Sequence, residues 1–147
     1  MDYAENITAE RVKRVIKGYG DGKKSVEGTG GNFSFYELGT PIFNGDELNE
    51  SIGIEEIRKY IYYSETRKEI DSMHDTEPYL MGVYCNTAYY FCYEKGKSIT
   101  LNLNFLSQIK TKASSYVIYA DSCTLSEEQL ERMCITFKKI PRDIPKC

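Results

Sequence analysis

The sequence predicts an α/β fold: a mixed β-sheet with short helices packed on it, in two or three layers. Three observations carry this. Short apolar strands alternate with short helical patterns, above all in the C-terminal half. A complete helix-start signal, Ser126-Glu-Glu-Gln129, separates two of those strands. The length of 147 residues, with 41% hydrophobic and 28% charged side chains, suits one domain with a real core. Residues 1–147 therefore read as a single domain: a helix over 1–19, a flexible glycine-rich loop over 20–31, and an α/β body over 32–147.

The first helix takes Thr8 as its N-cap and places Val12, Val15, Ile16 and Tyr19 on a stripe expected to be buried. Glu10 is spaced to pair with Arg14, and Gly18 and Gly20 stop the helix. From Gly20 to Gly31 the chain has almost no apolar anchor, so a mobile loop is expected. Phe33, Phe35, Tyr36 and Leu38, with Ser34 and Glu37 between them, predict a strand.

A second helix is expected from about Gly53 to Tyr63. Ser51 is its candidate cap, Ile54, Ile57 and Ile61 form its inner side, and Glu55 is set to pair with Lys59. Glu65 to Pro78 is polar and reads as a loop or frayed helix. Leu80–Cys85 and Tyr89–Tyr93 predict two strands around a turn at Asn86-Thr87. Lys95-Gly96 makes another turn before a strand at Ile99–Leu101. A helix carrying Phe105, Leu106 and Ile109 inward comes next, then a strand at Tyr116–Ala120. In the capping box the Ser126 side chain accepts from the Gln129 amide while Gln129 reaches back. Ile135–Lys138 is the last strand, and Pro141 and Pro145 end regular structure.

Composition narrows the function classes. A net charge of -3 argues against wholly electrostatic nucleic-acid binding, while leaving room for a local basic face. No apolar run approaches the roughly 20 residues that span a bilayer, and no secretory signal opens the chain. Cys85, Cys92, Cys123, Cys134 and Cys147 are odd in number and lack C-x-x-C spacing, which predicts reduced thiols in a cytoplasmic protein. The 13 tyrosines, in a chain without tryptophan, suit strand packing with hydroxyls at the rim.

Gly28-Thr29-Gly30-Gly31 has the look of a phosphate cradle. A dinucleotide loop, however, follows a buried strand and opens a helix, and here a strand is expected after the glycines. No G-x-x-x-x-G-K-[ST] loop is present. His74, the one histidine, stands near Asp71, Asp75 and Glu77, but the spacing matches no standard metal site and leaves Ser and Cys nucleophiles without a base. Asp21 with Lys23 has the residue types of a nuclease site and lacks the buried strand before it. Catalytic, cofactor-binding and metal-binding residues are accordingly assigned to none. Arg11, Lys13, Arg14 and Lys17, with Lys23 and Lys24, are the candidate contacts to a DNA backbone, against the alternative of an ordinary solvated helix face. A second basic group, Lys138, Lys139, Arg142 and Lys146, closes the chain.

Several stretches in order resemble the C-terminal region of bacterial adenine-specific DNA methyltransferases, in particular the modification subunits of type III restriction-modification systems. They are "MDYAENITAERVKRVIKGYG", "GTGGNFSFYELG", "IRKYIYYSET", "YYFCYEK", "YVIYADSCTL" and "ITFKKIPRDI". The family's [ND]-P-P-[YFW] tetrapeptide, which holds the flipped adenine, has no counterpart here, and neither has its F-x-G-x-G loop for the methyl donor. The resemblance implies a non-catalytic C-terminal module lying just after the cofactor-binding strands, with no enzyme activity or cofactor of its own. S-adenosylmethionine would belong to the parent enzyme. The implied partners are the catalytic core, DNA through the parent, a restriction subunit and a second copy of the chain, with no membrane. The alternative is a free-standing α/β interaction or regulatory domain. A third reading, a small metal-dependent nuclease or hydrolase, would rest on Asp21 or His74.

Overall fold

A computed structural model describes residues 4–34, 38–70 and 77–146 of the chain. The chain divides into two units, Met1–Gly39 and Thr40–Cys147.

In the first unit a π-helical segment, Ala4–Ala9, runs directly into α1 (Glu10–Lys17). Thr8 is therefore inside a helical segment and is not the cap. Ala9, at the junction, already has helical φ −62 and ψ −39 and supplies no capping side chain. Gly18 ends α1 with φ 85 and opens β1 (Gly18–Tyr19), which pairs antiparallel with β2 (Val26–Glu27). A 3-10 turn at Gly22–Lys24 joins the two. The stretch expected as an unanchored loop thus makes a small hairpin. Its ties are backbone hydrogen bonds, which need no apolar side chains and so leave no trace in the residue pattern.

Beyond the hairpin, the Thr29 and Gly30 amides donate to the carbonyls of Val15 and Ile16, each at 3.0 Å. These bonds satisfy carbonyls that a helix end leaves without an internal partner. The crossing is tight: a Cβ on Gly28 would stand 2.2 Å from the Ile16 carbonyl oxygen. Phe33, Ser34 and Leu38 lie outside any strand, contrary to the expectation of one from Phe33 to Leu38. Phe35, Tyr36 and Glu37, which were to complete it, fall outside the described residues.

The second unit opens with a short hairpin, β3 (Phe43–Asn44) and β4 (Glu47–Leu48), turning at Gly45. Helix α2 (Ile54–Thr66) follows, with Gly53 at its N-cap. Ser51 does not cap it, because the Ser51 amide and hydroxyl both donate to the side-chain oxygen of buried Asn49, at 3.1 and 2.7 Å. Ile57 and Ile61 are buried as expected. Lys59 pairs with Glu56 at 2.7 Å, and Glu55 turns to Arg58 at 3.4 Å, so the expected Glu55–Lys59 pair does not form. The i,i+3 partner competes with the i,i+4 partner for the same ammonium, and spacing alone does not choose between them.

Strands β5 (Leu80–Tyr84) and β6 (Thr87–Phe91) form an antiparallel hairpin. Its turn is Cys85-Asn86, one residue earlier than expected. Both residues have positive φ, 48 and 60, the conformation that a two-residue turn requires to match strand twist. Next come β7 (Thr100–Leu101), α3 (Leu103–Ser107), β8 (Ser115–Ala120), β9 (Ser122–Cys123), α4 (Glu127–Arg132) and β10 (Ile135–Lys139). Asn102 caps α3 by accepting from the Phe105 amide at 2.8 Å. The Ser126–Gln129 capping box on α4 is complete, with its two bonds at 3.3 and 3.0 Å.

The main sheet has the order β10-β8-β6-β5. β6, β8 and β10 run parallel, and β5 is antiparallel at one edge, so the sheet is mixed as the sequence predicts. Side chains alternate along each strand and build two cores. Met81, Phe91 and Tyr119 pack with Ile57, Ile61 and Tyr62 of α2. Leu80, Tyr90, Ile118 and Ala120 pack with Leu101 and with side chains of α3 and α4. Helices therefore cover both faces of the sheet.

Candidate functional site

The first unit places all six cations singled out in the sequence at the surface. Arg11, Lys13, Arg14 and Lys17 are exposed on α1, and Lys23 and Lys24 on the 3-10 turn. Arg14 pairs with Glu10 at 3.4 Å, the contact that the spacing predicts. Arg11, Lys13, Lys17, Lys23 and Lys24 have no ion pair among the described residues. At 3.6 residues per turn, Lys13, Arg14 and Lys17 project from the side of α1 opposite Val12, Val15 and Ile16.

That apolar side differs from expectation. Val12 is 37% exposed, Val15 52% and Tyr19 54%, and α1 contributes no buried residue. Amphipathic spacing records that a helix can bury one face; it does not supply the surface that covers it. Tyr19 also leaves the helix altogether, since Gly18 has already turned the chain into β1. The nearby glycines serve this turn. Amides that a phosphate cradle would present, those of Thr29 and Gly30, are engaged by helix carbonyls.

Two of the depressions formed by the described residues of the second unit gather polar side chains. A cleft of about 580 Å³ lies at the carboxyl ends of the three parallel strands, where open α/β sheets commonly bind ligands. Tyr93, Asp121 and Pro141, just beyond β6, β8 and β10, line it together with Glu47, Asn49 and Ser51. Its polar groups are largely engaged: Asp121 accepts from the Ile99 amide at 2.8 Å, and Asn49 binds the Pro41 carbonyl and Ser51. A smaller hollow of about 250 Å³ is lined by Glu77, Tyr79, Tyr90, Phe105, Gln108 and Lys110.

Glu77 is a buried carboxylate that sequence reasoning left in a polar loop. Tyr90 and Thr111 donate to it at 2.7 and 2.6 Å. Burial by itself raises its pKa, but those hydroxyls and the Lys110 and Thr111 amides outweigh it and hold the carboxyl below its usual range. Tyr90 is pushed up by burial and by its bond to Glu77. Tyr79 is pushed up to about 12, first by its hydrogen bond to Glu94 and then by burial. On the α2 side, Glu65 accepts from Tyr119 at 2.5 Å and from Lys138, joining α2, β8 and β10. One member of the basic group at the chain end is thereby engaged, and Arg142 and Lys146 pair with Asp143 and Asp46.

These are bonded, structural groups. Cys92 is buried and its thiol is pushed up by desolvation, the opposite of an activated nucleophile. No cluster of three or more His, Cys, Asp or Glu side chains is arranged to hold a metal among the described residues. Asp21 is exposed at the start of the 3-10 turn, and His74, Asp71 and Asp75 lie outside the described residues. Among the described residues no helix is long and apolar enough to cross a membrane. Glu65 and Glu77 were missed because their partners stand 54 and 13 residues away in sequence, and no local pattern marks such pairings. No family model matches the sequence, and neither a curated protein nor a solved structure matches the chain.

Proposed function

We propose that the chain is a non-catalytic C-terminal module of a site-specific DNA adenine-N6 methyltransferase of a restriction-modification system, working in the cytoplasm. Its parent transfers a methyl group from S-adenosylmethionine, held in a core outside this chain, to adenine. The module's roles in this reading are packing on that core, dimerisation, or contact with DNA or the restriction subunit. One observation carries it: α1 leaves Val12 and Val15 exposed on its apolar side, and Tyr19 is exposed just beyond it in β1. Burying such side chains against a partner yields on the order of 1.5–3 kcal/mol for each one fully covered. The ordered resemblance of six stretches supplies the family.

The test joins the chain to the reading frame that precedes it. That frame is expected to encode a D-P-P-[YFW]-like and an F-x-G-x-G motif, and the joined protein to methylate adenine in duplex DNA. V12D/V15D in the joined protein is expected to lower methylation at least tenfold. A frame without both motifs, or full activity in V12D/V15D, defeats the proposal. A second reading, a free-standing interaction domain, draws support from Thr40–Cys147, which has cores of its own on both sheet faces. It predicts a stable monomer whose behaviour V12D/V15D leaves unchanged.

A further inference from the structure

We propose that the hollow walled by Tyr79, Tyr90 and Phe105 binds a quaternary ammonium group over the carboxylate of Glu77. The site lies in the Thr40–Cys147 unit and does not depend on the methyltransferase reading. Glu77 is only 8% exposed, and it carries no ion pair among the described residues. Carboxylates are almost never buried unless paired. Tyr90 and Thr111 donate to its two oxygens, and the Lys110 and Thr111 amides add further bonds. A carboxylate has about four lone-pair sites, so its acceptor capacity is used up. Every one of those donors is neutral. The oxygens are satisfied, and the charge is not.

That combination selects the ligand. A primary ammonium or a metal ion entering the hollow needs free lone pairs and finds none on Glu77. A quaternary ammonium donates no hydrogen bond; it is drawn by negative charge and by aromatic faces. The hollow supplies both. Tyr79 and Phe105 stand with ring centroids 5.9 Å apart and planes tilted by 41°, and Tyr90 and Ile109 extend the lining. The two tyrosine hydroxyls are spent on Glu94 and Glu77, which leaves the rings to meet a ligand. The volume of about 250 Å³ exceeds the ~150 Å³ that holds a benzene ring, so a trimethylammonium head has room. Other charges around the hollow are directed elsewhere. Glu94 pairs with Lys97, and Arg58, which donates to the Pro78 carbonyl, pairs with Glu55. Lys110 is exposed and makes no ion pair with Glu77.

Amide chemical shifts of the full chain, followed as choline is added, test the proposal. Saturable changes are expected at Phe105, Lys110 and Thr111. Neopentylcarbinol, the uncharged carbon isostere of choline, is expected to bind about tenfold more weakly, and so is ethanolamine, whose ammonium needs acceptors. Glu77→Gln removes the charge and Phe105→Leu one aromatic face, and each is expected to weaken choline about tenfold. Phe105→Leu leaves the Glu77 hydrogen bonds in place, so it keeps the test decisive if Glu77→Gln unfolds the chain. A peptide carrying trimethyl-lysine is titrated alongside. Tighter binding of the peptide assigns the group to a methylated protein, and tighter binding of choline assigns it to a small solute. Neopentylcarbinol or ethanolamine binding as tightly as choline, an unchanged affinity in Phe105→Leu, or no saturable change with either choline or the peptide would overturn the proposal.

Discussion

The two units solve the same physical problem to different degrees. In Thr40–Cys147, apolar patterns find covers: Phe91 and Tyr119 are fully buried against α2, and Ile118 and Leu101 against the opposite layer. In Met1–Gly39 the pattern is as regular, yet Val15 is half exposed and Ala9 is the one buried residue among those described. Backbone bonds dominate the first unit, side-chain packing the second. Identical amphipathic spacing thus accompanies a filled core in one place and an uncovered face in the other. What distinguishes them is the presence of long-range partners, which the spacing itself does not encode.

The sharpest way to break this contrast is to delete equivalent apolar bulk from each unit. Phe91→Ala removes a ring with no exposure, stacked on Tyr93 at a centroid distance of 5.6 Å, and is expected to cost about 3–5 kcal/mol in urea unfolding. Val15→Ala removes atoms already facing solvent and is expected to stay within about 0.5 kcal/mol. A large loss from Val15→Ala in the isolated chain would mean that its stripe is covered after all.

How legible each unit was follows the same division. In the second, the β5–β6 hairpin, β8, α2 and the α4 capping box were readable because each is written in local residues: a turn between alternating apolar runs, or Ser126 three before Gln129. The parallel pairing of β8 with β10 was not, because nothing in either strand names its neighbour. In the first unit the cations were legible as a list, and Glu10–Arg14 as a pair. The hairpin and the helix-end bonds were invisible, since backbone amides carry no residue signature. The buried carboxylates Glu65 and Glu77 were unreadable for a third reason: a charged residue in a polar stretch is the ordinary mark of solvent, and only folding brings the tyrosines to it.

Glu77 gives the intermediate test. Its carboxyl is held below the ordinary value of 4.5, so the folded protein binds the proton more weakly than the unfolded chain. The resulting stability is present above that ordinary value and is lost as pH falls through the lower, folded pKa. Glu77→Gln preserves the size of the side chain but removes the charge that accepts from Tyr90 and Thr111. It is expected to cost about 1–3 kcal/mol at neutral pH and to flatten the acid limb of the stability curve. Equal acid sensitivity in Glu77→Gln and the parent would place the pH-dependent stabilisation elsewhere, among the other carboxyls held low: Asp143 by Arg142 and the Lys139 amide, Glu94 by Lys97 and Tyr79, and Asp46 by Lys146.

The smallest expected effect on the chain as a whole, and the most local, belongs to Gly28→Ala. A methyl group there meets the Ile16 carbonyl oxygen at 2.2 Å and the Gly18 nitrogen at 2.6 Å, both backbone atoms that no rotamer change can move aside. The strand crossing has to lift, and with it go the Thr29 and Gly30 bonds to the Val15 and Ile16 carbonyls. Amide exchange at Thr29 and Gly30 is expected to accelerate at least tenfold while the urea midpoint set by the Phe91 core moves little. Gly30→Ala is the informative control: a Cβ there meets nothing within 4 Å, although its φ of +70 strains any side chain. If Gly28→Ala and Gly30→Ala act alike, conformational strain governs the helix end. If Gly28→Ala alone releases those amides, close approach does, and the glycine that resembled part of a phosphate cradle is the residue that lets the chain close α1.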